Sequence, residues 1–285
     1  MPEMPEVEAL VRWLGDRLEG AVVAEVEPAS FAVLKTFDPP VSAFSGLTVS
    51  GVRRHGKFID IDVDGIHLVI HLAKAGWLRW SDRLGDKRVK MGGPIALRFR
   101  VDRGDGPHEG FDLTEAGTRK GLAVYAVRDP QEVRGIAALG PDPLSPGFEL
   151  RPLLARRMQV KRLLRDQTIV AGIGNAYSDE ILHAARLSPF AIAEKLDDDE
   201  IGRLEEAVHT VLTEAIAAAD GKPAAELKDA KRERMRVHGR AGETCDVCGG
   251  TIAEVVFADS SLQYCPTCQT GGALLKDRTT SKFLK

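Results

Sequence analysis

The chain has 285 residues, 44% of them hydrophobic and 28% charged, which is typical of a soluble protein with two or three domains. The net charge of -3 gives no overall attraction to nucleic acid, but residues 151–165 and 228–240 are basic and 194–206 are acidic. No apolar run approaches the roughly 20 residues of a membrane span, and charges throughout the N-terminus exclude a signal peptide. We therefore expect a cytoplasmic protein with no membrane partner.

The N-terminus concentrates two prolines and three carboxylates in eight residues. If Met1 is removed, Pro2 carries a secondary amine, and an α-amino group has an ordinary pKa of roughly 7.7–8.0. A neutral amine can form a Schiff base with a sugar aldehyde, and the Glu3 carboxyl beside it can act as acid or base. The competing interpretation is a solvated terminus without a chemical role.

The N-terminal half is predicted to be one helix followed by strands. Apolar residues at helical spacing predict a helix over 7–19 that would hold the terminus still. Serial short strands with turns between them then suggest an antiparallel sandwich or barrel. The predicted strands are 21–26, 47–53, 57–63, 66–72, 95–101, 110–113 and 122–128. By itself, Lys57 at the start of one strand is typical of a surface lysine.

The C-terminal half is predicted to be helical after a proline-rich linker. Gly172 and Gly174 indicate a tight turn before Asn175. A helix that begins there can present backbone N–H groups and the Asn175 amide to a phosphate, although such a turn is often only a turn. The predicted helical segments are 150–157, 161–166, 175–186 and 197–219.

The four cysteines form two Cys-x-x-Cys pairs, which predict one structural Zn²⁺ per chain. Four thiolates leave no open coordination position, so the metal is not expected to be catalytic. Zinc would replace the hydrophobic core that residues 240–270 lack. A redox role for one pair is the alternative. The predicted ligands are Cys245, Cys248, Cys265 and Cys268.

Six motifs, taken together and in order, resemble the formamidopyrimidine-DNA glycosylase / endonuclease VIII family of base-excision repair enzymes. The resemblance spans residues 2–269, and its specificity lies in the combination. The motifs are the Pro-Glu-x-Pro-Glu start, Gly56-Lys57, Ile70-His71-Leu72, Leu139-Gly-Pro-x-Pro-Leu144, Gly172-Ile-Gly-Asn175-x-Tyr177 with Glu180, and Val237-His-Gly-Arg240 before the cysteines.

The resemblance implies an α+β multidomain fold with damaged double-stranded DNA in the cleft between its halves. An N-terminal helix and antiparallel β-sandwich would precede a helix–two-turn–helix domain and a four-Cys zinc finger. We expect a monomer without a small-molecule cofactor. The expected boundaries are 1–130 for the sandwich, 131–147 for a linker, 148–236 for the helical domain, 237–270 for the finger and 271–285 for a basic tail.

The resemblance also implies roles for individual residues. The Pro2 amine attacks C1′ of the flipped-out nucleotide and displaces the base, while Glu3 handles protons and Glu6 supports the site. Lys57 contacts phosphate and assists the β-elimination that cuts the strand. The residues expected to contact DNA elsewhere are Asn175, Lys74, Lys120, Lys161 and Arg240.

The chain departs from the family at the positions that hold the lesion. The arginine that binds lesion phosphates from the family's finger, and is tied to δ-elimination, falls on Ser260. Where 8-oxoguanine enzymes insert Met, Arg and Phe into the gap in the stack, this chain has Lys74, Thr118 and Lys120. Trp77 is either a substitute wedge or a packed strand aromatic.

Residues 230–236 are too few for the loop that caps 8-oxoguanine, which the endonuclease VIII branch also lacks. We therefore predict a bifunctional DNA glycosylase/AP lyase that favours oxidised pyrimidines. Alternatives are excision of 8-oxoguanine and formamidopyrimidines, or mainly AP-site lyase activity. A non-catalytic damaged-DNA-binding protein is the alternative from another class.

Overall fold

The protein forms two compact units. Residues 1–138 and 219–228 make up the first unit, and residues 139–218 and 229–285 make up the second. The domain boundaries predicted from the sequence stay a prediction. The computed structural model describes residues 2–30, 32–85, 87–104, 106–117, 120–258 and 260–275.

Among these described residues, no helix is both long enough and apolar enough to cross a membrane.

The first unit is an antiparallel β-sandwich with helix α1 (Met4–Leu18) packed on it, as predicted. One sheet has the strand order β1-β6-β7-β5 and the other has β2-β3-β4-β8. The strands are β1 (Val22–Pro28), β2 (Val49–His55), β3 (Phe58–Val63), β4 (Ile66–His71), β5 (Gly76–Ser81), β6 (Ile95–Asp102), β7 (Glu109–Glu115) and β8 (Ala123–Val127).

Both sheets and α1 contribute to one apolar core. Alternate residues of each strand face inward, because successive side chains of a strand point to opposite faces. Leu10 and Leu14 of α1 are fully buried in this core. So are Ile59 and Ile61 of one sheet and Phe99 and Phe111 of the other. A short helix, α2 (Arg134–Ala137), follows the sandwich.

Strand β5 was not predicted. Its sequence, Gly-Trp-Leu-Arg-Trp-Ser, is separated from β4 by only four residues and looks like a continuation of the β4 strand. Gly76 permits the sharp turn, because a Cβ there would lie 2.2 Å from the Leu72 carbonyl oxygen. The tight turn separates β4 and β5 into different sheets.

The second unit contains the helices and the finger. The helix predicted over 150–157 is wrong, because only a 3₁₀ turn, Arg151–Leu154, forms there beside a proline. A positive φ of 86° at Gly172 makes the predicted tight turn before α4. The elements are α3 (Val160–Arg165), α4 (Asn175–Ala184), α5 (Asp198–Ala219), α6 (Leu227–Arg234), β9 (Ala253–Val256), β10 (Ser261–Tyr264) and α7 (Pro266–Thr270).

Buried polar contacts connect α4 to the chain that enters the finger. Glu180 accepts backbone N–H groups of Arg236, Val237 and His238 at 2.8, 3.0 and 2.8 Å. Burial raises the pKa of Glu180, and these three donors oppose that rise. Asp179 accepts from His238 Nδ1 at 2.7 Å. Both carboxylates are nearly inaccessible to solvent, so the position of residues 236–238, which lead into the finger, depends on them.

Candidate functional site

The N-terminus is held in the fold. Pro2 is buried, and Glu3 and Glu6 are only 2% and 3% exposed. Glu3 is the N-cap of α1, with its N–H donating to Glu6 Oε2 at 2.8 Å and its carboxylate accepting the Glu6 N–H in return. This capping box fixes the backbone that precedes the helix. The alternative of a solvated terminus is therefore wrong.

Lys57 lies in the turn between β2 and β3, and it is 9% exposed rather than a surface lysine. Arg54 connects this hairpin to α1, with Nε donating to Glu8 Oε2 at 2.7 Å and a second nitrogen donating to the Gly56 carbonyl at 3.1 Å. Burial tends to raise the pKa of Glu8, but Arg54 and Arg12 outweigh it and lower that pKa. The Glu8 carboxylate therefore stays charged and anchors the turn that carries Lys57.

His71 lies beside the same turn. It pairs across the sheet with Phe58, with ring centroids 4.7 Å apart. Burial, with a contribution from the Lys57 charge, lowers the pKa of His71 to about 4. At neutral pH His71 is therefore uncharged, and Lys57 is the cation of the pair.

The lysines at the wedge positions lie on exposed turns. Lys74 is exposed in the turn between β4 and β5, and Lys120 is exposed with its Nζ donating to the Glu115 carbonyl. Thr118 lies outside the described residues. Trp77 cannot be a wedge here, because it is only 7% exposed and its indole N–H donates to the Ala224 carbonyl at 3.1 Å. Of the two alternatives for Trp77, the packed strand aromatic is the one that the structure supports.

Asn175 is the first residue of α4, and one N–H of its amide donates to the Ser261 carbonyl at 2.7 Å. A second N–H of that amide remains for a ligand. Lys161 is 4% exposed, and its Nζ donates to the Asn175 carbonyl at 3.2 Å, to Ser178 Oγ at 2.7 Å and to Asp179 Oδ1 at 2.6 Å. These contacts favour a role for Lys161 in orienting Asn175. Direct DNA contact by Lys161 stays a prediction.

Arg240 and Ser260 lie in the finger. The Arg240 guanidinium donates to Glu243 at 2.8 Å and to Asp246 at 2.7 Å, so part of its hydrogen-bonding capacity is used within the protein. Ser260 is half-buried at the tip of the β9–β10 hairpin, where its carbonyl accepts the Phe257 N–H at 2.7 Å. The hairpin tip thus carries a hydroxyl at the position where the resemblance places the family's phosphate-binding arginine.

The four cysteine sulfurs lie within 4.8 Å of one another, with Cys248 and Cys265 3.4 Å apart and Cys245 and Cys268 3.9 Å apart. Sulfurs about 2.3 Å from a tetrahedral Zn²⁺ are about 3.8 Å apart, so the cluster fits that metal. The Gly250 N–H donates to the Cys248 sulfur at 3.4 Å, a contact that stabilises negative charge on that ligand. The predicted structural zinc site is confirmed.

His183 joins this site to α4. Its Nε2 lies 3.4 Å from the Cys245 sulfur, and burial lowers the pKa of His183. A neutral imidazole N–H beside a thiolate ligand stabilises the sulfur charge, as partners around metal ligands commonly do.

Three domain families match the chain in the expected order. The formamidopyrimidine-DNA glycosylase N-terminal domain matches residues 1–121, the corresponding H2TH domain matches 139–225, and the zinc finger found in FPG and IleRS matches 242–271. A formamidopyrimidine-DNA glycosylase of Heliobacterium modesticaldum is 34% identical over 288 residues, covering 94% of this chain and all of that protein.

The chain belongs to the formamidopyrimidine-DNA glycosylase / endonuclease VIII family.

Two further relatives support that membership. A formamidopyrimidine-DNA glycosylase-like protein of Mycobacterium tuberculosis, itself uncharacterised, is 53% identical over 150 residues, which is 52% of this chain and 95% of that protein. The crystal structure of Lactococcus lactis FPG with DNA containing an oxidised pyrimidine superposes with a TM-score of 0.81 at 26% identity. That match covers 94% of this chain and all of the other. The family is one of DNA glycosylases, and the predicted fold class is confirmed.

Sequence reasoning missed the residues that position the site. Glu8 and Arg54 are 46 residues apart, and Asp179 and His238 are 59 apart. One signal could have found the first pair: Glu8 falls on the half-polar side of α1, where an arginine on a neighbouring strand could reach it. Nothing in the local sequence around Asp179 indicates its partner.

Proposed function

We propose that this protein is a bifunctional DNA glycosylase/AP lyase that acts through the Pro2 amine. The observation that carries the proposal is the buried capping box at Glu3 and Glu6, which fixes the terminus in the same unit as Lys57. A nucleophile must be held in place to react, and the capping box supplies that constraint at Pro2.

In the proposed reaction, the Pro2 nitrogen of the Met1-free chain forms a bond to C1′ of the damaged nucleotide. The bond from C1′ to the base breaks, and the C1′–O4′ bond of the sugar ring breaks next. Glu3 transfers the proton that the amine loses to one of these departing atoms, and solvent supplies the proton that the other gains, so the C1′–N product is a positively charged iminium. The result is a Schiff base between Pro2 and the opened sugar. Glu6 acts through Glu3, because its carboxylate accepts the Glu3 N–H. It is a positioning residue.

Strand cleavage follows from the Schiff base, which draws electrons from C2′ and acidifies its proton. Loss of that proton forms the C2′–C3′ double bond and breaks the C3′–O bond, so the 3′ phosphate leaves. Lys57 would stabilise the negative charge on the departing phosphate, as a cation does for a leaving group. Water finally hydrolyses the Schiff base and releases Pro2.

The zinc site supports DNA binding without entering the chemistry. Four thiolates complete the coordination of the metal and leave no place for substrate. The metal would hold the β9–β10 hairpin against the start of α4, where the amide of Asn175 is proposed to bind backbone phosphate. Arg240, Lys74 and Lys120 are proposed as further DNA contacts.

Oxidised pyrimidines are the proposed substrates. Helix α6 occupies residues 227–234, so this part of the chain is regular helix where 8-oxoguanine enzymes have a capping loop. Exposed Lys74 and Lys120 replace apolar wedges and favour contacts to polar base edges over stacking. Excision of 8-oxoguanine or formamidopyrimidine lesions is the second candidate. Ser260 in place of arginine favours a third, in which AP-site cleavage dominates.

Borohydride trapping tests the proposal. Met1-free protein is incubated with duplexes that contain 5-hydroxyuracil, 8-oxoguanine or an abasic site, and the mixture is then reduced. We expect covalent adducts with the abasic site and 5-hydroxyuracil, and a loss of yield of at least about 100-fold in Pro2→Gly/Glu3→Gln, given the usual size of acid–base and nucleophile contributions. Lys90→Gln removes an exposed lysine of the same unit and serves as control. Absence of any adduct would leave the non-catalytic DNA-binding alternative.

A further inference from the structure

A basic depression beside the finger hairpin contains two arginines that have no role in the proposed chemistry. The depression has a volume of about 430 Å³, and Arg162 and Arg165 of α3 line it together with Phe257 and Ser260 of the hairpin. We propose that Arg162 and Arg165 bind the DNA phosphate that a finger arginine binds elsewhere in the family. The cation would thus come from the helical domain instead of the hairpin.

The depression adjoins the position proposed for phosphate binding. Asn175 Nδ2 donates to the carbonyl of Ser261, the residue after Ser260. The Asn175 carbonyl accepts from Lys161 Nζ, and Lys161 directly precedes Arg162 in α3. Asn175, the hairpin and α3 are therefore in mutual contact. Arg162 and Ser260 line the same depression beside these contacts.

The two arginines are available for a ligand. Both are exposed, and within the part of the chain that the structure describes neither guanidinium forms an ion pair or a hydrogen bond. They are three residues apart on α3, so their side chains project from the same face of the helix. Lys161 differs, because its ammonium is buried against Asp179.

One carboxylate opposes them. Asp166 also lines the depression, but it accepts the N–H and the hydroxyl of Thr168 at 3.0 and 2.7 Å. These hydrogen bonds, with a smaller contribution from the Arg162 charge, lower the pKa of Asp166. Asp166 is therefore charged at neutral pH, and the two guanidinium groups outnumber it.

Guanidinium suits this position better than a hydroxyl does. It presents up to five N–H donors in a plane that matches phosphate oxygens, and it keeps its charge at any physiological pH. The Ser260 hydroxyl has a single donor and no charge. Phe257, which is 43% exposed, adds an apolar wall against which a deoxyribose can pack. The ligand is thus a phosphodiester with its sugar, as the proposed function supplies, and the inference rests on that function.

The salt dependence of DNA binding tests the inference. Fluorescence anisotropy measures the affinity for a duplex with a tetrahydrofuran abasic analogue from about 50 to about 250 mM salt, where each phosphate contact adds roughly 0.9 to the slope of log K against log salt. Arg162→Gln/Arg165→Gln should reduce the magnitude of that slope by about 1, because one phosphate contact is lost. Arg151→Gln/Lys195→Gln removes two exposed charges of the same unit outside the depression and should leave the slope unchanged. Equal slopes in both variants would overturn the inference.

A rescue variant makes the test specific to Ser260. Ser260→Arg should restore the slope in Arg162→Gln/Arg165→Gln and should add much less to the unsubstituted protein, because one phosphate is then already bound. Equal gains in both backgrounds would contradict the inference, since the positions would then act independently.

Trapping separates this inference from the proposed function. Trapping is run on the unsubstituted protein and on the control Arg151→Gln/Lys195→Gln, and both should form the adduct because Pro2 and Glu3 are intact. A missing adduct in the unsubstituted protein contradicts the proposed chemistry. If the unsubstituted protein is trapped and the salt slope of Arg162→Gln/Arg165→Gln is reduced, the phosphate site is supported separately from the chemistry at Pro2.

Discussion

The β-sandwich and the region from α4 to the finger are stabilised in different ways. In the sandwich, α1 and both sheets share one apolar core, and a capping box fixes the terminus that is proposed to be catalytic. In the second region the helices also bury apolar residues such as Ile181 and Leu182, but the finger has only small apolar clusters. There a zinc site and the Glu180 contacts supplement them, and the Lys161–Asp179 ion pair lies buried beside α4. The position of the proposed nucleophile therefore depends on apolar packing, whereas the position of the proposed phosphate-binding groups in the finger depends on charged contacts and on the metal.

The largest expected difference is the response to zinc removal. A strong chelator, or Cys265→Ser, should unfold the β9–β10 hairpin, because apparent zinc-binding free energies reach about 10–16 kcal/mol in small finger domains. Hydrogen exchange of residues 253–264 should become fast, while β3 and β4 of the sandwich keep their protection. Fast exchange in both regions would show that the two do not differ in this way.

Lys161→Met should give the next largest effect. It removes the partner of Asp179, whose side chain is 0% exposed, and leaves a buried charge with reduced compensation. Such a loss costs roughly 3–5 kcal/mol. The free energy of unfolding, measured by chemical denaturation, should fall by that amount. Lys161→Met/Asp179→Leu should recover much of it, since both charges are then gone; no recovery would mean that the ion pair is not the cause.

The sandwich should respond to pH through His71. Its pKa is about 4 in the fold, below the ordinary value of 6.5. The unfolded chain therefore binds more protons between these values, and the free energy of unfolding should fall as pH drops from about 6.5 towards 4, by at most about 3 kcal/mol. Below pH 4 this contribution is lost and adds no further slope. His71→Asn should flatten the profile over that window, and an unchanged profile would assign the pH response to other groups.

Arg54→Ala should have a smaller effect on stability, about 1–3 kcal/mol, because it leaves the half-buried Glu8 carboxylate without its main donor. It should also lower kcat, since the turn that carries Lys57 loses its connection to α1. Arg12→Ala removes the other partner of Glu8, and the Arg12 side chain is 51% exposed. This control should change stability by less than about 1 kcal/mol. Equal effects of the two substitutions would contradict the proposed anchoring by Arg54.

Regular elements of this fold are predictable because their periodicity is local. The strict alternation in β3 and β4 and the helical spacing in α1 appear within single short segments. The four zinc ligands are equally plain, because their spacing alone identifies them. Strand β5 was missed because its boundary depends on a tight turn at Gly76 rather than on its own pattern.

The candidate site was predictable in its reactive residues but not in its supporting contacts. Motifs predict Pro2, Glu3 and Lys57 as the proposed reactive residues. The contact of Arg54 with Glu8, by contrast, forms only when the fold brings the two residues together. The burial of Lys161 against Asp179 depends in the same way on how α3 and α4 pack. Long-range pairs of this kind are set by tertiary structure, and a single-sequence pattern such as the polar position of Glu8 on α1 does not identify the partner.

Mapping the trapped adduct tests the central claim most directly. After borohydride reduction with abasic DNA, proteolysis and mass spectrometry locate the peptide that carries the sugar remnant. The account predicts a single modified site on the N-terminal peptide, at the Pro2 nitrogen of the Met1-free chain. An adduct on Lys57 or another lysine, with the N-terminal peptide unmodified, would contradict it.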